Sequence, residues 1–317
     1  MMNYLRIIRY PNLLIIILTQ YAMRWGIIDP MLKAKGFELQ LGHIEFLLLV
    51  LSTVFITAAG YVINDYFDTH TDFLNRPKRV LVGTKIPRRN AMAFHILLNI
   101  AGVGLGFYVS FKIGLPIFGL VFLLITGILW FYSTTYKRQF LIGNFIVALL
   151  IALVPLMVVL FEIPELTKAY KVTLLKNNMD FMYLFYWVLA FSCFAFLVNL
   201  IREIVKDAQD FEGDNEYGRN SLPVVLGMKG TKIVAEILLL VTIVALAYVY
   251  LQYLRDTITL IYFSVFLFLP FIFLIFKIYV AKSKTDFRKI GNILKVTMLF
   301  GILYALVARY IIQTQVL

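Results

Sequence analysis

The sequence predicts an all-α integral membrane protein of nine transmembrane helices. Three observations predict it: too much apolar side chain for a soluble core, apolar runs of membrane-crossing length, and basic residues confined to alternate connections. Of 317 residues, 61% are hydrophobic, 16% aromatic and only 15% charged, against roughly 45–50% apolar and about 25% charged in soluble domains. A soluble fold of this size has no interior able to hide that much apolar surface. A helix crossing the hydrocarbon core needs about 20 mostly apolar residues. Such runs fall at about 11–32, 43–64, 92–112, 114–134, 140–162, 181–203, 232–252, 258–279 and 292–313. The hydrophilic connections between them hold no soluble domain, so 1–317 reads as a single transmembrane domain.

The third observation sets orientation. Lys and Arg in the N-terminal segment and in the connections after spans two, four, six and eight number 21, against seven in the opposite connections. Basic residues concentrate on the cytoplasmic side, which predicts a cytoplasmic N-terminus; the lack of a targeting peptide leads us to expect the cytoplasmic (inner) membrane. The same bias explains the net charge of +12 and leaves nucleic acid no role. Residues 12–18 continue into a run of spanning length rather than into a small-residue cleavage site, so no signal peptide is expected. Cys193 is the only cysteine, which excludes an intramolecular disulfide and a thiolate metal site.

Acidic residues are scarce, yet they cluster twice. After span two, Asp65, Asp68 and Asp72 follow Asn64; after span six come Asp207, Asp210 and Asp214. Both triplets have the spacing 0, 3, 7, which aligns side chains along one face of a helix. Stacked like charges repel, so each stripe calls for a cation. Hard carboxylate oxygens, with no cysteine or histidine pair nearby, suit Mg²⁺ rather than zinc. Magnesium takes one or two carboxylates and completes its octahedron with water and phosphate oxygens. Two facing stripes would therefore bridge metal to a diphosphate.

Basic residues stand beside both stripes. Arg76 follows the first, Lys137 and Arg138 follow span four, and Arg202 and Lys206 flank the second. Cations there would neutralise charge developing on a departing diphosphate. An apolar bundle around such a headgroup implies a lipid tail, the simplest being a prenyl diphosphate. Loss of diphosphate leaves an allylic carbocation, which aromatic faces such as Tyr132 and Tyr136 can stabilise. A cation transporter is the competing class, but transport carboxylates belong near mid-membrane. A structural membrane protein with acidic loops would show no magnesium dependence.

These motifs resemble the UbiA superfamily of membrane prenyltransferases. Asn64, Asp65, Asp68 and Asp72 match its N-D-x-x-D-x-x-x-D motif, and Asn75-Arg76-Pro77 resembles the continuation. Asp207, Asp210 and Asp214 match the second motif, followed by a similar Gly218…Ser221-Leu222-Pro223…Gly227 stretch. The resemblance implies a helical bundle around a central cavity with both motifs at its cytoplasmic mouth. It implies metal ligation by Asn64, Asp68, Asp72, Asp207, Asp210 and Asp214, with Lys206 beside the reacting diphosphate. Substrate contacts would come from Asn64, Asp65, Arg76, Tyr132, Tyr136, Lys137, Arg138 and Arg202. The run from Arg202 to Asp207 is most similar to members that add a second prenyl chain to a phosphoglycerol hydroxyl. Expected partners are thus a prenyl diphosphate, the geranylgeranyl one by this resemblance, and geranylgeranylglyceryl phosphate, with an aromatic acceptor the alternative. The connection at 163–180, carrying Lys168, Lys171 and Lys176, departs from the compact members.

Overall fold

Proline and glycine decide where the predicted spans bend and where they meet. A computed structural model describes residues 2–75, 77 and 80–315. Helices α1 (Met2–Ile7) and α2 (Tyr10–Tyr21) run into a π-helical stretch, Ala22–Ile28, and then α3 (Asp29–Lys33). There follow α4 (His43–Phe67), α5 (Thr69–Asn75), α6 (Arg88–Lys112), α7 (Gly119–Thr134) and α8 (Ile142–Ala169). The short α9 (Lys171–Asn177) precedes α10 (Met182–Glu216) and α11 (Leu222–Val249). Helices α12 (Thr257–Phe263), α13 (Leu269–Val280) and α14 (Lys284–Gln315) complete the chain. An isolated bridge between Val82 and Ile86 is the β pairing found among the described residues.

Eight helical stretches among the described residues are long and apolar enough to cross a membrane. The predicted first span, 11–32, is helical throughout, but its α-helix is interrupted by the π-helical stretch. Pro30 explains the interruption. It has no N–H for the carbonyl four residues back, at Gly26, and its ring crowds that carbonyl. Pro270 does the same to Phe266, which lies in a later π-helical stretch, Ser264–Phe268, between α12 and α13; a third, Tyr250–Leu254, ends α11. Widened turns of this kind absorb the misfit.

The chain gathers into two compact units. One comprises Met1–Tyr21, Glu38–Lys137 and Val154–Tyr186; the other comprises Ala22–Phe37, Arg138–Leu153 and Trp187–Leu317. In the first, α4 packs most extensively on α6. Glycines allow the approach: a Cβ at Gly102 would lie 2.7 Å from Ile56 and 3.1 Å from the Ser52 carbonyl. Ser52 Oγ donates to the Gly102 carbonyl at 2.6 Å, closing the contact. In the second unit α14 packs on the π-helical stretch 22–28, where Gly26 meets Ala305. Outward faces are apolar, as Leu123, Leu124, Ile237 and Val244 show, which suits hydrocarbon and not water.

Helix α10 has 35 residues, about 52 Å at 1.5 Å per residue. Its apolar part, 182–201, is enough to cross about 30 Å of hydrocarbon. The polar turns from Arg202 onward therefore stand beyond the span, and they carry the second acidic triplet.

Candidate active site

In the first unit the acidic motif straddles the end of α4. The helix stops at Phe67, with Asp68 as its C-cap, and Asp72 rides on the separate α5. The interruption is a single residue: Asp68 keeps right-handed helical dihedrals, its N–H donates to the Asn64 carbonyl at 3.0 Å, and Asp72 N donates to the Asp68 carbonyl at 2.8 Å, so the triplet is shared between two helices joined through Asp68. Its members have different partners. Arg9 Nη2 donates to Asp65 Oδ1 at 2.7 Å, with the guanidinium 4.8 Å from the centre of the Tyr61 ring. Arg9 itself adopts φ 53° in the link between α1 and α2, which aims it there.

Lys137 Nζ donates to Asn64 Oδ1 at 2.8 Å and also to Asp68 Oδ2. Asn64 and Asp68 lie one turn apart, so their oxygens converge on a single point, and a positive group occupies it. Asp68 is 7% exposed and Lys137 16% exposed at the side chain, so the pair is largely removed from water. Lys137 belongs to the short 3₁₀ turn Tyr136–Arg138 that follows α7. The Tyr136 ring lies 6.5 Å from that of Phe131, and Tyr132 is half-buried on α7. Arg76 lies outside the described residues.

In the second unit the triplet rides one unbroken helix, as its spacing predicts. Asn144 Nδ2 donates to Asp207 Oδ2 at 2.7 Å. Burial first, then the neighbouring Asp214 and Glu203 carboxylates, push the Asp207 carboxyl up to about 7, against the Asn144 bond and Lys206. Asp214 accepts from Arg219 at 3.5 Å, while Asp210 is half-buried on the same helix. Arg138 is exposed, and its carbonyl accepts from Asn220 N at 3.0 Å.

Glu203 is the residue that sequence reasoning overlooked. It is buried, and its two oxygens accept from Arg202 Nη1 at 3.0 Å and Lys206 Nζ at 2.9 Å. One carboxylate thus orients both cations. The i, i+3 spacing to Lys206 was the available signal. Lys295 of α14 adds a further positive charge facing Arg202. His95 is buried, its Nδ1 2.9 Å from the Ala59 carbonyl and its Nε2 3.0 Å from Asn99 Nδ2, a satisfied core histidine.

Do these residues suit magnesium? Among the described residues no three His, Cys, Asp or Glu side chains form a group that could hold a metal. Magnesium asks for only one or two carboxylates beside water and phosphate, so the requirement is met without such a group. Two observations favour a fit. Asn64 and Asp68 already aim hard oxygens at one cation. Asp207 is an acid made costly as an anion by its surroundings, which a divalent cation would relieve.

The profile of the UbiA prenyltransferase family matches residues 31–306. Digeranylgeranylglyceryl phosphate synthase of Methanosphaera stadtmanae is 30% identical over 261 residues, 81% of this chain and 85% of that protein. The synthase of the same name from Sulfolobus acidocaldarius is 36% identical over 195 residues, 61% of this chain and 62% of that one. A solved structure concerned with digeranylgeranylglyceryl phosphate synthase in membranes has a TM-score of 0.60 at 25% identity, covering 97% of both chains. A UbiA homolog from Archaeoglobus fulgidus bound to GPP and Mg²⁺ has a TM-score of 0.59 at 19% identity, covering 96% of this chain and 99% of that one.

Proposed function

The chain belongs to the UbiA prenyltransferase family, and from that premise we propose that it transfers a geranylgeranyl group from its diphosphate to the free hydroxyl of geranylgeranylglyceryl phosphate, using Mg²⁺. In the transfer the allylic carbon–oxygen bond to diphosphate breaks and a bond to the acceptor oxygen forms. The products are a diether, diphosphate and a proton. Magnesium, when bound, would draw electron density from the departing diphosphate.

Asn64, Asp68 and Asp72 are proposed to serve one ion, and Asp207, Asp210 and Asp214 another, each ion taking one or two of these carboxylates directly and the rest through water. Lys137 neutralises Asp68; with a metal held by Asp68, its ammonium would be free to serve the diphosphate. Arg202 and Lys206, fixed by Glu203, present donors to phosphate oxygens. Arg138 and Arg76 add positive charge, and Tyr132 and Tyr136 offer ring faces to the allylic cation. Asp65, held by Arg9, is proposed to fix the end of α4 rather than to contact substrate. The apolar surroundings keep water from the cation, which it would otherwise quench.

The convergence of Asn64 and Asp68 on one cation carries this reading. The relatives named digeranylgeranylglyceryl phosphate synthase support the acceptor. The basic bias of alternate connections supports a cytoplasmic N-terminus.

The test is direct. Purified protein receives magnesium and labelled geranylgeranyl diphosphate, then either geranylgeranylglyceryl phosphate or aromatic acids, and the product is identified by mass. The diether phosphate is expected; a prenylated aromatic acid would transfer the enzyme to the other acceptor class. Asp68→Ala and Asp210→Ala should each lower transfer by at least about 100-fold, the scale of losing charge stabilisation, while the protein still inserts. Full activity in either variant would remove that aspartate from the metal set.

A further inference from the structure

The connection between α8 and α10, residues 163–180, is a built structure rather than a loose link. Tyr170 Oη accepts from Glu38 N at 3.2 Å and from Gln40 Nε2 at 3.1 Å. Its ring lies 6.3 Å from that of Phe181. Leu174 turns inward and is 8% exposed. Asn178 closes α9 in the left-handed conformation, φ 49°, and Met179 N returns to the Leu174 carbonyl at 3.0 Å.

With Leu174 inward, the helical period places Val172 and Leu175 together on the opposite face. They are 79% and 75% exposed, the two most exposed large apolar side chains among the described residues. Lys171 and Lys176 border that face on either side. Lys168, at the end of α8, is 71% exposed at the side chain and lies 3.9 Å from the Glu165 carboxylate, a surface pair that leaves its ammonium open to solvent. Because α8 and α10 both have spanning length, the connection between them must lie at a bilayer surface. In water, two aliphatic side chains held so far out would forgo most of their burial energy. At the headgroup boundary they sit in the upper acyl layer, while lysine stems lie along them and carry ammonium groups to lipid phosphate. A second copy docked on this face about a two-fold axis would instead bring lysines against lysines.

We propose that α9 is an interfacial anchor that binds anionic lipid headgroups. Val172 and Leu175 enter the acyl boundary, and Lys168, Lys171 and Lys176 hold phosphates around them. The assignment is independent of the transfer chemistry.

The test uses the full chain with Cys193→Ala, carrying a spin label on a single cysteine at 172, 175 or 177. It is reconstituted in phosphatidylcholine vesicles with phosphatidylglycerol. Labels at 172 and 175 should collide with oxygen in preference to a water-soluble nickel complex, and the label at 177, on the other side of α9, the reverse. In parallel, native mass spectrometry compares phosphatidylglycerol binding by the parent and by the Lys168, Lys171 and Lys176→Ser triple variant. Binding should weaken by about fivefold per lysine removed. Nickel access at 172 and 175 equal to that at 177 overturns the proposal, as does unchanged phosphatidylglycerol binding in the triple variant. The labelling arm keeps every lysine, so it decides the matter even if the triple variant misfolds.

Discussion

At the scale of single residues, the site is an arrangement of charges that hold one another in readiness. Lys137 stands between Asn64 and Asp68, where a metal would have to enter. Lys137→Met should therefore lower the thermal midpoint without magnesium, since it strands a buried carboxylate; removing one partner of a buried pair costs about 3–5 kcal/mol, and partial exposure here reduces that. Added magnesium should raise the midpoint more in the variant than in the parent, because no ammonium must leave. Thermal shifts with and without magnesium measure this, and equal shifts would refute the shared position. The aspartates themselves were legible from spacing alone, but their partners were not. Arg9 lies 56 residues from Asp65 and Asn144 63 residues from Asp207. No local period reports on contacts that distant, and Glu203 was hidden among the charges it organises.

At the scale of the helices, packing is set by what is missing. Gly102 and Gly106 lie one turn apart on α6, yet alanine should act differently at each. At Gly102 the new methyl would meet Ile56 and also backbone atoms of α4, the Ile56 nitrogen and Ser52 carbonyl, both at 3.1 Å. At Gly106 it would meet the Phe122 ring at 2.4 Å, the side chain of another helix. A ring can turn, whereas a backbone cannot yield without parting two helices. Gly102→Ala should therefore cost more of the roughly 1–3 kcal/mol typical of overpacking, read as the larger fall in thermal midpoint. A larger fall for Gly106→Ala would show that Phe122 is the less able to move. The sequence marked the spans by hydropathy but not their π-helical interruptions. Pro30 and Pro270 were visible, yet whether a proline kinks, ends or widens a helix depends on the neighbours that receive the freed carbonyl.

For the whole molecule, topology yields the prediction. The connections 34–42 and 163–180 meet through Tyr170 and Glu38, so they share one side of the membrane, as alternate connections of a serpentine chain must. On the proposed orientation, with a cytoplasmic N-terminus, that side is external. In a Cys193→Ala background, Lys176→Cys should react in intact cells with an impermeant maleimide. Lys85→Cys should react only after permeabilisation; both positions are exposed. The opposite pattern would invert the orientation.

By itself the sequence determined the solvent of this protein, the helical class, and both acidic motifs, because hydropathy and helical spacing are properties of neighbouring residues. Only the folded chain decided that the first motif is shared between two helices at Asp68, that Lys137 rests between its oxygens and that Asp65 belongs to Arg9. Those are encounters between segments distant along the chain. Their geometry is set by how helices pack, which no count of residues along one helix contains.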